Sequence, residues 1–80
     1  MTQLEKLVRK ARTAPQNVRF SELVKIVSRV GGYELYGRVG SHCSYRKKEQ
    51  YSLTLTATSG LAKVEEVKKV IRRLGEEGLI

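Results

Sequence analysis

Tyr51-Ser52-Leu53-Thr54-Leu55-Thr56-Ala57 decides the fold class. Tyr51, Leu53, Leu55 and Ala57 alternate with Ser52, Thr54 and Thr56, so one face of the segment is apolar and the other carries hydroxyls. A period of two in β-branched and aromatic residues predicts a strand with one buried face and one wet face. Immediately before it, Lys47-Lys48-Glu49-Gln50 reads as a polar hairpin loop, and Ser41 to Lys47 as the strand that the loop joins. Gly40 marks a turn, and Tyr33 to Val39 is a further strand with Tyr33 and Leu35 on one face and Glu34 and Tyr36 on the other. On the C-terminal side, beyond Thr58-Ser59-Gly60, the spacing of Val64, Val67, Val70, Ile71 and Leu74 is helical. Glu65 and Glu66 open that helix, Lys68, Lys69, Arg72 and Arg73 crowd its later turns, and Gly75 is the expected stop, followed by a frayed Glu76 to Ile80.

Two helical patterns precede the strands. Thr2 and Glu5 have capping-box spacing, and Leu4, Leu7, Val8 and Ala11 form a stripe opposite Lys6, Arg9, Lys10 and Arg12. Thr13 to Asn17 breaks the pattern at Pro15, the one proline. Ser21 to Val30 is the second helix, with Phe20, Leu23, Val24, Val27 and Val30 on its stripe and Gly31-Gly32 free to cap it. The expected order is α-α-β-β-β-α. The fold class is therefore α+β, with three antiparallel strands in one sheet and the last two helices covering one of its faces. The other face is left for solvent or a partner. Residues 1–80 read as one domain, in which 1–16 are an N-terminal helix and its connection.

Eighty residues carry 16 Lys+Arg against 8 Asp+Glu, a net charge of +8 and a pI near 10.0. A positive field of this size suits an anionic partner, most simply nucleic acid. Nothing approaches the roughly 18 apolar residues of a membrane span, and no hydrophobic signal core opens the chain, so an intracellular setting is expected. One Cys and one His leave no disulfide framework and no conventional metal site, and no cofactor is expected.

His42 is the side chain best suited to proton transfer near neutrality. Its setting is Gly40-Ser41-His42-Cys43-Ser44-Tyr45-Arg46-Lys47-Lys48, an imidazole among hydroxyls, a phenol and cations. Metal-free RNA cleavage needs a base for the 2′-hydroxyl proton and cations for the pentavalent phosphate, and the segment holds both. A lone His on an edge strand beside a solvated charge run is the plainer reading. No carboxylate adjoins His42 in sequence; Glu34 and Glu49 are the nearest. Cys43 points to the opposite strand face and reads as a small buried thiol. Gly37-Arg38-Val39-Gly40 matches the GXXG of KH domains, but that loop joins helices, and the match is accidental. Tyr36, Tyr45 and Tyr51 could stack on bases, although Tyr51 alternates with core leucines. Lys68, Lys69, Arg72 and Arg73 read as a solvated helix face unless they share a surface with Arg46 to Lys48.

Gly40-Ser41-His42 followed by Tyr45 resembles the motif of the HicA toxin family, the small ribonuclease toxins of HicA–HicB toxin–antitoxin modules. Asn17 to Leu23 is similar to the helix opening of longer members, Gly31-Gly32-Tyr33-Glu34-Leu35 to their Gly-aromatic entry into the first strand, and Gly60 to Leu74 with Lys63 to their approach to the final helix. The resemblance covers about Asn17 to Leu79 and leaves Leu4 to Arg12 as an extra helix. It implies a double-stranded-RNA-binding-like α-β-β-β-α fold and metal-independent mRNA cleavage with His42 essential. It further implies RNA contact through Ser41, Tyr45, Arg46, Lys47 and Lys48, a HicB-like antitoxin that covers His42, and a cytoplasmic location. Cys43 stands where many members carry a second His, and Ser44 where they carry an apolar residue.

Two other functions compete. One is a non-catalytic RNA-binding domain that grips phosphates with its helix faces and strand loops. The other is a DNA-binding helix pair in Leu4 to Val30, against which the Thr13 to Val18 connection exceeds the 3–4-residue turn of that motif.

Overall fold

Thr2 starts the first helix as its sequence requires. Its hydroxyl accepts the Glu5 N–H at 3.1 Å while Glu5 Oε1 accepts the Thr2 N–H at 3.3 Å, so two otherwise orphaned donors are satisfied. The computed structural model describes residues 2–48 and 51–80. Helix α1 spans Gln3–Thr13, a 3-10 turn follows at Pro15–Asn17, and α2 spans Phe20–Lys25. Three strands then run β1 Glu34–Val39, β2 His42–Lys47 and β3 Tyr51–Thr56, and α3 closes the order at Val64–Glu76. The molecule is thus α+β with one antiparallel sheet in the order β1-β2-β3. No helix among the described residues is long and apolar enough to cross a membrane.

The expected pairing of the last two strands is present. His42 opposes Thr56, Tyr45 opposes Leu53 and Lys47 opposes Tyr51, and the Ala57 N–H donates to the Ser41 carbonyl at 2.7 Å. Leu53 and Leu55 are buried with Val67, Val70 and Leu74 of α3, so both apolar stripes find each other. Burial of each large side chain contributes about 1.5–3 kcal/mol. Leu23, Ile26 and Val27 complete the covering layer, and Val8 and Ala11 of α1 join the same core.

Four local expectations are corrected. The second helix does not stay α-helical: Ile26–Val30 forms a π-helical turn, with the Gly31 N–H donating to the Ile26 carbonyl at 3.0 Å. Ile26, a residue outside the expected stripe, is buried three positions on from Leu23 along the same helix face. Gly32, with φ 75°, is the left-handed residue of the pair. Gly31 is right-handed, and it is pinned because a Cβ there would meet the Val27 carbonyl oxygen at 2.7 Å. Leu35 does not join Tyr33 inside. A bulge between Leu35 and Gly37 shifts the register of β1, an outer strand, and Leu35 is 57% exposed whereas Tyr33 is 1% exposed.

The end of α3 carries the fourth correction. Gly75 lies inside the helix, and Gly78, with φ 76°, terminates it. The Leu79 N–H donates to Leu74 O at 2.9 Å and the Gly78 N–H to Gly75 O at 3.1 Å, the paired bonds of a Schellman ending. Far from fraying, this segment fixes Glu77 over the sheet. Its carboxylate accepts from Lys47 Nζ at 2.6 Å and from the Tyr33 hydroxyl at 2.5 Å. Burial pushes the Tyr33 hydroxyl up to about 12, and its bond to Glu77 acts in the same direction.

Candidate nucleic-acid interface

The β1–β2 connection is a two-residue turn, Gly40-Ser41, closed by the Val39–His42 pair. Gly40 has φ 61° and Ser41 a negative φ, the sign pattern of a type II′ turn, which requires Gly at its first central position. This turn sets His42 as the first residue of β2. From there strand alternation places His42, Ser44 and Arg46 on the sheet face that no helix covers. Their cross-strand partners are Thr56, Thr54 and Ser52, of which Thr54 and Ser52 are exposed and extend that open face with hydroxyls. His42 is exposed between its cross-strand neighbours Val39 and Thr56, and no side chain among the described residues hydrogen-bonds it.

The same alternation divides the expected RNA-contacting set. Tyr45 is 6% exposed on the helix-covered face beside Cys43, so its ring belongs to the core and cannot stack on a base. Burial pushes its hydroxyl above the ordinary tyrosine range, with Cys43 adding to the rise and the Arg38 guanidinium opposing it. Lys47 also turns inward. Its ammonium is bound to Glu77 and lies 5.6 and 5.7 Å from the ring centroids of Tyr33 and Tyr51. Ser41 is exposed in the turn beside His42. Arg46 is exposed on the open face, four residues or about 13 Å along β2 from His42. Lys48 is exposed past the far end of β2 with φ 53°. Of the two nearest carboxylates in sequence, Glu34 pairs with Arg46 at the far end of β1, and Glu49 lies outside the described residues.

Two residues enter the site that charge and motif reading passed over or weighed lightly. Arg38 folds back along β1, and its Nε donates to the Gly40 carbonyl at 2.8 Å, which holds a guanidinium against the turn that presents His42. Its position two residues before the turn glycine was the available signal. Tyr36, at the bulge, stands on the open face with its ring 4.0 Å from the Arg46 guanidinium carbon, a cation–π contact that orients both groups.

The basic cluster of α3 divides in a similar way. Lys69 Nζ donates to Thr54 O at 3.2 Å and Arg73 Nη1 to Ser52 O at 3.3 Å. Glu66 accepts the Thr56 N–H at 2.8 Å and the Thr56 hydroxyl at 2.7 Å. These three side chains occupy the free backbone groups of β3, whereas Lys68 and Arg72 face solvent. The sheet therefore has a sealed border at β3, and among the described residues no side chain hydrogen-bonds the backbone of β1 in that way. Among the described residues no group of three His, Cys, Asp or Glu could hold a metal ion. A groove between α1 and Leu79-Ile80, lined by Leu4, Val8 and Val30, contains none of the expected site residues. No family model, curated protein or solved structure matches the chain.

Proposed function

We propose that this chain is a metal-independent RNA endonuclease, a HicA-like mRNA interferase toxin that works in the cytoplasm and is restrained by a HicB-like antitoxin seated over His42. On this reading the sheet with α2 and α3 is a double-stranded-RNA-binding-like α-β-β-β-α core, and α1 is an addition to it. The observation that carries the proposal is His42 itself: exposed on a hydroxyl-bearing sheet face, presented by the Gly40-Ser41 turn, and hydrogen-bonded by no side chain among the described residues. Its imidazole takes the 2′-hydroxyl proton and so directs the oxygen onto the adjacent phosphorus; the P–O5′ bond breaks, the 5′-oxygen leaves as a hydroxyl with a proton from water, and a 2′,3′-cyclic phosphate remains. The guanidinium on the His42 face is Arg46, which meets the phosphates of the bound strand, whereas Arg38, tethered at the turn, leaves β1 on the opposite face as the partner of Cys43.

The test compares an RNA with a copy whose 2′-hydroxyls are replaced by hydrogen. Wild type should cut only the RNA, and EDTA should leave that reaction intact. His42→Ala should lower the rate by about 10²–10⁴ while phosphate binding survives. An exposed strand residue contributes little packing, so stability should change by under about 0.5 kcal/mol. Cleavage of both substrates, or full activity in the Ala variant, would sink the mechanism. A second reading, a non-catalytic RNA-binding domain, is favoured by the absence of any hydrogen-bonded partner that orients His42 among the described residues. Binding by wild type without cleavage would select it.

A further inference from the structure

Of the chain's aromatic rings, Tyr36 alone stands in solvent. Tyr33 and Tyr45 are buried, Phe20 and Tyr51 are half-buried against the core, and Tyr36 is 67% exposed. A large apolar ring is ordinarily drawn into the core, and the bulge in β1 holds this one out on the same face as His42. It also has a partner. The Arg46 guanidinium covers one side of the ring at 4.0 Å, which leaves the other side bare. Val39, 80% exposed, extends the apolar surface from the bulge toward His42, its direct cross-strand partner.

We infer that Tyr36 and Arg46 form a stacking subsite for one unpaired nucleobase, which makes single-stranded RNA rather than a duplex the ligand of this face. The inference rests on the proposed RNA function and specifies its substrate. A bare aromatic face accepts any base, because every base has a π-face, and a guanidinium stacked behind it is positioned for the neighbouring phosphate. Bases inside an A-form duplex are already stacked on each other and offer no face to a ring that projects from a sheet. Spacing agrees. Tyr36 adjoins Gly37, which opposes Ser44, two residues along β2 from His42, so the ring lies about 7–10 Å from the imidazole along the sheet. A base held on Tyr36 thereby lays the next stretch of backbone across Val39 and onto His42. On this face Arg46, held against Tyr36, supplies positive charge beside the strand's path along β1 and β2.

The experiment uses the full chain carrying His42→Ala to prevent turnover. Its probes are an eight-nucleotide single-stranded RNA containing one 2-aminopurine and the same sequence annealed to its complement. Tyr36→Ala should weaken single-strand binding about tenfold, the loss of one stacked base, and should abolish the quenching of the 2-aminopurine. Tyr36→Phe should retain both, and duplex affinity should be equal in all three proteins. Equal single-strand affinity in the Ala variant, a matching loss on the duplex, or no RNA binding by any variant would overturn the inference. The last result would turn the Tyr36 patch into a protein-docking surface. A Tyr36-dependent single-strand preference in a protein whose wild type cuts no RNA leaves the subsite standing and removes the endonuclease. Cleavage by wild type with no dependence of binding on Tyr36 does the reverse.

Discussion

Glu77 joins groups that lie far apart in the chain. Its carboxylate is 6% exposed and meets an ammonium from β2 and a hydroxyl from the residue before β1. Burial alone would push its pKa up, but Lys47 and Tyr33 together outweigh that and hold it below the ordinary carboxylate value. A carboxylate whose folded pKa is depressed contributes stability that is present above its unfolded pKa, near 4.5, and is lost as pH falls through the folded value. Glu77→Gln should therefore cost about 1–3 kcal/mol at pH 7, because it leaves a half-buried ammonium without its counter-charge. The deficit should shrink as the pH falls below the carboxylate range. Urea unfolding at pH 7 and pH 3 checks this, and an equal deficit at both would show that the charge is not the source. Glu77 also explains why Lys47, read from sequence as one of three loop cations, is a structural residue.

Much of the element order was legible because each signal is short-ranged. The Thr2–Glu5 cap, the alternation of Tyr51 to Ala57 and the stripe of α3 each depend on neighbours within four residues. What escaped is set by tertiary packing. Nothing local in the sequence marks the π-helical turn or the bulge at Tyr36. The inward turn of Tyr45 and Lys47 was legible in principle, since the alternation that separates Cys43 from His42 separates them too; the motif and the charge run masked it. The α3 stop was misread because a glycine can sit within a helix as well as end one. Gly31 and Gly75 therefore respond oppositely to the same substitution. A methyl at Gly31 would lie 2.9 Å from both Leu74 Cδ2 and Tyr33 Cδ1 as well as against backbone, and Gly31→Ala should destabilise by about 1–3 kcal/mol. Gly75 has nothing within 4 Å of the same position and lies in a helix, so Gly75→Ala should stabilise by about 0.5–1 kcal/mol. Denaturation midpoints that move in the same direction would contradict this division.

Across the whole molecule, a net charge of +8 does not mean that every cation is available to an anion. Lys10 is bound to Glu22 and Lys47 to Glu77, while Lys69 and Arg73 are held at the border of the sheet. Arg46, exposed and held against Tyr36 on the His42 face, and Lys48, exposed beyond the hairpin, are not committed in this way. A cation that neutralises a phosphate of single-stranded RNA displaces counterions, which steepens the dependence of log affinity on log salt by about 0.7 per contact. Arg46→Ala and Lys48→Ala should each reduce that slope by about this amount. Lys47→Ala should leave the slope unchanged while lowering the unfolding midpoint, because its positive charge is already balanced by Glu77 inside the fold. Titrations of one single-stranded RNA at several salt concentrations separate the three cations. If Lys47→Ala flattens the slope as much as Arg46→Ala does, the ammonium must leave Glu77 for RNA, and the binding surface is then the hairpin end rather than the open sheet face.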